Sequence, residues 1–263
     1  MTPAPPILRA RGVLLDLDGT VYQADRLIPG ARDAVARIRA ADLPLRFATN
    51  TTRIPRAGLV ERLRGHGVAV EPDDIVTAPR VAAAWLVAHD VRRLALHVTE
   101  ATAAEFAGLA LDDEAPDAVV VGDLGAGWTF ERLNRAFRQV AGGARLVAIQ
   151  KNRYWRTGDG LTLDAGPFVA AIEFASGRSA TVAGKPSAPF FRGAAAAMGL
   201  EAADLVVVGD DVDSDVRGAM AAGARGVLVR TGKFRPADLD AAPAPDAVVD
   251  SVADVPRLLG LGG

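Results

Sequence analysis

The 263-residue chain contains no cysteine. Disulfides and thiolate metal sites are therefore excluded, and nothing in the redox chemistry argues for an extracellular protein. Lysine is scarce: of 30 basic residues, only Lys151, Lys185 and Lys233 are lysine. A genome rich in G and C accounts for the bias toward arginine and alanine, and it makes each remaining lysine informative. There is no excess of positive charge to draw nucleic acid or an anionic membrane, because the formal net charge is -2. No apolar run approaches the ~18 residues of a membrane span. The opening MTPAPPILRARG lacks the basic-then-apolar pattern of a signal peptide. These absences lead to the expectation of a cytoplasmic protein with no nucleic-acid or membrane partner. What is present is apolar bulk, 50% of the chain, enough for one large core or two smaller ones.

Short β-branched runs alternate with alanine- and leucine-rich stretches of helical spacing. GVLLDL (12–17), LRFAT (45–49), RLALHV (93–98), DAVVVG (117–122), LVAIQ (146–150), DLVVVG (204–209) and GVLVR (226–230) are expected as strands. GARDAVARIRAA, FERLNRAFRQVA and APFFRGAAAAMG are expected as helices. Continuous apolar strands alternating with helices predict a doubly wound parallel α/β sheet covered on both faces. DAAPAPDA (240–247) is expected as a surface loop.

In such sheets, ligands bind at the carboxyl ends of the strands. The first run ends in Asp16-Leu17-Asp18-Gly19-Thr20 and the second in Thr49-Asn50-Thr51-Thr52-Arg53. A later run ends in Gly209-Asp210-Asp211, and Gly122-Asp123 is a weaker candidate. An unpaired carboxylate in a buried strand is costly, so Asp16 and Asp18 need a partner. A hard cation such as Mg2+, which takes oxygen ligands, is one. Alone, D-x-D-G equally fits a turn, Lys185 a surface lysine, and Asp210 to Asp215 the acidic start of a helix. Together and in order, they point to phosphate chemistry. A calcium loop starting at Asp211 is excluded by Val216 at its sixth position and Ala222 at its twelfth. A P-loop at GKPS is excluded because the required upstream glycine is Ser179. His66, His89 and His97 sit away from every motif.

On DxDGT at Asp16–Thr20, Thr49-Asn50, Lys185 and the acids Asp210 to Asp215, the chain resembles the haloacid dehalogenase (HAD) superfamily of Mg2+-dependent phosphohydrolases. About 130 residues separate the second motif from the lysine, room for a large inserted cap. That resembles the C2-capped subclass (subfamily IIA), which includes p-nitrophenyl, ribonucleotide and pyridoxal phosphatases. The segments 151–177, 182–191 and 229–239 are similar to the branch holding phospholysine phosphohistidine inorganic pyrophosphate phosphatases and a related HAD-like hydrolase domain-containing protein. Some members of that branch replace the second motif aspartate, whereas this chain keeps Asp18.

The resemblance implies a core built from residues 1–79 and 184–263 and an α/β cap over 80–183. It implies that Asp16 attacks phosphorus to form an aspartyl-phosphate, and that Asp18 protonates the leaving group and then activates water. Residues i and i+2 of a strand share a face, so both carboxylates can reach one pocket. The implied metal ligands are Asp16, the backbone carbonyl of Asp18, and Asp210. Thr49, Asn50 and Lys185 would hold the phosphoryl oxygens, with Asp211 and Asp215 in support.

The expected substrate is a small phosphorylated metabolite, inorganic pyrophosphate or a phosphoamino acid. KNRYWRTGDG (151–160) is expected as one loop, in which Arg153, Tyr154, Trp155 and Arg156 either recognise substrate or pack and solvate the cap. Hinges are expected near Ala78–Pro79 and Ala183–Gly184. The subclass often forms homodimers through the cap, so a homodimer is open here. Competing readings are a dehalogenase, which would not need Asp18, a phosphotransferase or mutase, and a non-enzymatic phospho-receiver, which the inserted segment opposes.

Overall fold

In the computed structural model, the structure describes residues 8–52, 54–157, 160–240 and 242–261, without the side chains of 155–157. The chain divides into two compact units. The first comprises residues 1–49, 56–76 and 185–263; the second comprises 50–55 and 77–184.

In chain order the strands are β1 Gly12–Asp16, β2 Tyr22–Gln23, β3 Arg26–Leu27, β4 Leu45–Thr49 and β5 Ile75–Thr77. They continue with β6 Arg93–His97, β7 Ala110–Leu111, β8 Ala118–Val121, β9 Arg145–Ala148, β10 Tyr154–Thr157, β11 Gly160–Leu163 and β12 Thr181–Val182. The last three are β13 Leu205–Gly209, β14 Arg225–Val229 and β15 Ala247–Val249.

The first unit is built on a six-stranded sheet in the order β15-β14-β13-β1-β4-β5. β1 runs parallel to both β13 and β4. Every residue of β1 is buried, as a parallel strand covered on both faces requires. Phe47, Phe190 and Phe191 are among the largest fully buried side chains, each worth about 1.5–3 kcal/mol on burial. From β1, later strands add outward to one side through β4 and to the other through β13. The β1/β13 boundary is therefore the topological switch point, where an α/β sheet opens its ligand crevice.

The second unit has its own five-stranded sheet, β12-β9-β8-β6-β7. Its core packs Val119, Val121, Leu146 and Ala148 with Ala136, Val140, Val169 and Ile172. The last four lie on helices Phe130–Ala141 and Ala165–Ser176. The Thr129 hydroxyl caps the first of these, accepting from the Arg132 N–H at 3.2 Å. Asp164 caps the second, and Gly177, at φ 67°, ends it in the left-handed conformation.

The expected long strands all form. The region 151–160 is corrected: Tyr154–Thr157 is not loop but pairs antiparallel with Gly160–Leu163. Tyr154 and Trp155 are adjacent and flanked by charged residues, so the run shows no two-residue apolar period to mark it as a strand. No helix among the described residues is long and apolar enough to cross a membrane.

Candidate active site

Asp16 is the last residue of β1, and Asp210 directly follows β13. The two carboxylates are thus delivered side by side at the switch point. Beyond β1, Gly19 adopts φ 86°, a conformation that a side chain disfavours. It turns the chain so that its N–H donates to the Tyr22 carbonyl at 2.7 Å. After Asp210 the chain enters a short π-helical turn, Val212–Arg217, a geometry that occurs often at functional sites. The Asp211 carboxylate caps it, accepting from Asp213 N–H at 3.2 Å and Ser214 N–H at 2.9 Å. That turn points Asp215 inward, where it is 1% exposed.

Lys185 sits between the acids. Its ammonium donates to Asp16 Oδ1 and, at 2.6 Å, to Asp215 Oδ1. Asp16, Asp210 and Asp215 each offer a carboxylate oxygen within 4.8 Å of the others, and all three are buried. Burial pushes the Asp16 carboxyl up; Lys185 pulls it back, and Asp215 and Asp210 add to the rise. Asp210 is pushed up to about 6, chiefly by burial, against the pull of the Lys233 N–H. Burial alone would lower Lys185, but the carboxylates of Asp16 and Asp215 outweigh it and hold the ammonium charged.

Three buried carboxylates therefore face one ammonium. The surplus negative charge and the all-oxygen donor set fit a hard divalent cation such as Mg2+.

Thr49, at the end of β4, is buried in the same unit as the acids, whereas Asn50 belongs to the second unit. There Asn50 lies so close to Gly184 that a Cβ on that glycine would meet its Oδ1 at 2.8 Å. The Asp18 side chain is exposed and stands outside the buried trio. Arg153 and Tyr154 are exposed in the second unit. The side chains of Trp155 and Arg156 lie outside the described residues. Asp123 lines a cavity of about 400 Å³ within the second unit, together with Thr52, Thr99 and Thr162.

Sequence reasoning assigned no role to Thr231, Gly232 or Lys233, yet all three reach this cluster. The Lys233 N–H donates to Asp210 Oδ2 at 2.7 Å and its ammonium to Asp211 Oδ2 at 3.2 Å. The Thr231 hydroxyl donates to the Gly19 carbonyl. The available signal was the scarcity of lysine: two of the three lie here.

A doubly wound sheet with buried carboxylates at its switch point, interrupted by a second α/β unit, has the architecture of a phosphate-handling hydrolase. Residues 13–110 match the family model for haloacid dehalogenase-like hydrolases, and residues 182–255 a second, HAD-hydrolase-like model. The chain belongs to the haloacid dehalogenase-like hydrolase family. It is 41% identical to haloacid dehalogenase-like hydrolase domain-containing protein 2 of Bos taurus, over 92% of each chain. It is 38% identical to phospholysine phosphohistidine inorganic pyrophosphate phosphatase of Homo sapiens, over 95% of this chain and 94% of that one. Among solved structures, p-nitrophenyl phosphatase from Archaeoglobus fulgidus superposes with a TM-score of 0.86 at 30% identity, covering 95% of this chain and 99% of its own. NagD from E. coli K-12 gives a TM-score of 0.86 at 28% identity, over 94% and 98%.

Proposed function

We propose that the protein is a Mg2+-dependent phosphohydrolase that cleaves a small phosphorylated metabolite through an aspartyl-phosphate. One observation carries this reading: the buried Asp16 carboxylate, at the end of β1, is held by Lys185 beside Asp210 and Asp215. The Asp16 oxygen attacks phosphorus, and the bond to the leaving oxygen breaks. Asp18, whose side chain is exposed two residues further on, donates a proton to that oxygen. It then takes a proton from the water that hydrolyses the acyl phosphate, which regenerates Asp16 and releases phosphate.

Asp16, Asp210 and the Asp18 carbonyl would hold Mg2+, with Asp215 close enough to join or orient them. When bound, the cation offsets the charge on nucleophile and phosphoryl oxygens. Lys185 and the Thr49 hydroxyl hold phosphoryl oxygens, while Asp215 keeps Lys185 aimed and charged. The second unit acts as the cap that excludes water and selects the leaving group.

The test is phosphate release from p-nitrophenyl phosphate. Turnover should require added Mg2+ and vanish with EDTA; undiminished turnover in excess EDTA would sink the metal assignment. Similarity to the human pyrophosphate phosphatase makes phosphoamino acids and inorganic pyrophosphate the first compounds to screen in a metabolite panel.

A further inference from the structure

We propose that Thr231–Gly232–Lys233, the turn that follows β14, is a clamp that presents the Asp210 carboxylate to the divalent cation, with Gly232 and the Lys233 backbone as its positioning elements. The inference rests on the metal reading of Asp210 given above.

The clamp grips from both sides of the site. The Lys233 N–H holds Asp210 Oδ2 at 2.7 Å, and this orients the other carboxylate oxygen. The Thr231 hydroxyl holds the Gly19 carbonyl, in the turn that follows Asp16 and Asp18. Phe234 seats the far end of the turn against the cluster of Val212, Val216 and Leu228.

Two glycines form the slot. Gly19 and Gly232 lie in the left-handed region, at φ 86° and 63°. They also face each other. A Cβ on Gly232 would stand 2.7 Å from the Gly19 Cα, and one on Gly19 would stand 3.0 Å from the Gly232 Cα. Either Cβ would also run into the Asp210 carboxylate. Only two residues without side chains leave room for that carboxylate, so the Asp210 geometry is written into Gly19 and Gly232 together. A loop serving only the core would make its contacts with apolar neighbours; this one makes them with Asp210, Asp211 and Gly19. Groups that hydrogen-bond a metal ligand set its orientation, and their loss weakens metal binding.

The test is Mg2+ binding to the full chain by titration calorimetry, which reads the site without turnover, with the Mg2+ dependence of hydrolysis measured alongside. Gly232→Ala should weaken Mg2+ binding roughly ten-fold or more. Gly223→Ala is the control. Gly223 has φ 96° but open space where its Cβ would stand, so the variant carries the backbone strain without touching Asp210. It should bind Mg2+ as the unaltered chain does. Lys233→Ala keeps the N–H donor and should lose less than about three-fold, well short of the range for a lost ligand contact.

If Gly232→Ala binds within about two-fold of the unaltered chain, or Gly223→Ala loses as much, the clamp is refuted. Should Gly232→Ala not fold, Thr231→Val replaces it, since it removes the Gly19 contact without a clash. A loss of about three-fold or more then supports the clamp, and unchanged binding overturns it. An unaltered chain that binds no divalent cation would overturn the metal reading and the clamp with it. That result differs from normal binding that the substitutions leave untouched.

Discussion

Lys185 Nζ stands 2.6 Å from Asp215 Oδ1, and both side chains are almost fully buried. The same ammonium also serves Asp16. Lys185→Met would therefore strand two carboxylates in the interior. Breaking a buried pair from one side costs about 3–5 kcal/mol, so urea unfolding of the metal-free protein should show a loss of that order. Asp16→Asn should act in the opposite direction. It removes one carboxylate that burial and its acidic neighbours disfavour and leaves Lys185 paired with Asp215. Its melting temperature without metal should equal or exceed that of the unaltered chain. A loss of stability in Asp16→Asn as large as that in Lys185→Met would contradict the charge balance described for this cluster.

Two capping residues of the second unit should differ in cost. Asp164 caps helix Ala165–Ser176, accepting from the Ala165 N–H at 2.8 Å, and also accepts from the buried Gln150 side chain. Thr129 caps helix Phe130–Ala141 at an exposed position. Thr129→Ala should cost about 1 kcal/mol. Asp164→Ala should cost about 2–4 kcal/mol, because it also leaves a buried amide without its acceptor. Equal losses in thermal or urea unfolding would mean that the Gln150 contact adds nothing.

The sequence made the long buried strands readable because burial on both faces leaves an uninterrupted apolar run, as in Val206–Val208 and Val119–Val121. The acids at their carboxyl ends were readable because charge at the end of such a run has few structural uses. Tyr154–Thr157 was not readable as a strand. Tyr154, Leu161 and Leu163 of the two paired strands are exposed, so burial writes no apolar period into these positions, and the pairing depends on residues of another strand. The contacts of Thr231 and Lys233 were hidden for another reason. They join a loop to residues elsewhere in the chain through a hydroxyl, an ammonium and a backbone N–H, in no short motif, and the close approach of Gly19 and Gly232 leaves no side-chain signature. Asp18 was readable as a motif member, but its exposure could come only from the structure.

His97 should give the second unit a pH-dependent stability. It ends β6 and is 4% exposed. Its ring stacks on Trp128 at 5.4 Å, and its Nε2 has no partner among the described residues. Burial lowers its pKa; Gln139 opposes, Arg132 lowers it further, Asp113 opposes and Arg135 lowers. The unfolded chain therefore takes up the proton first as pH falls. Stability present above the ordinary histidine value of about 6.5 is lost between that value and the lower folded one. His97→Phe preserves the stack and removes the titration. The unfolding free energy of the unaltered chain, relative to His97→Phe, should fall between about pH 7.5 and 5.5. Each tenfold by which folding weakens proton binding at His97 removes ~1.4 kcal/mol. A difference that stays flat across that range would show that His97 is not held neutral.

Asp16→Asn and Asp18→Asn should fail in different ways, because the structure buries one side chain and exposes the other. The amide of Asp16→Asn cannot form the acyl phosphate, and the buried trio loses a carboxylate, so turnover should drop to background. The Asp18→Asn variant keeps its backbone carbonyl, so Mg2+ and phosphate analogues should still bind. General acid–base help is worth ~10²–10⁴ in rate. Its loss should weigh heavily on an alkyl phosphate, whose leaving oxygen needs a proton. It should weigh less on p-nitrophenyl phosphate, which leaves as a stable anion. Because Asp18 also activates water in the second step, steady-state rates mix the two effects, and the first-turnover burst of p-nitrophenol separates them. Asp18→Asn should retain the burst and slow the turnovers that follow. Substantial turnover in Asp16→Asn, or equal burst-phase losses on both esters in Asp18→Asn, would reverse the roles given to these two carboxylates.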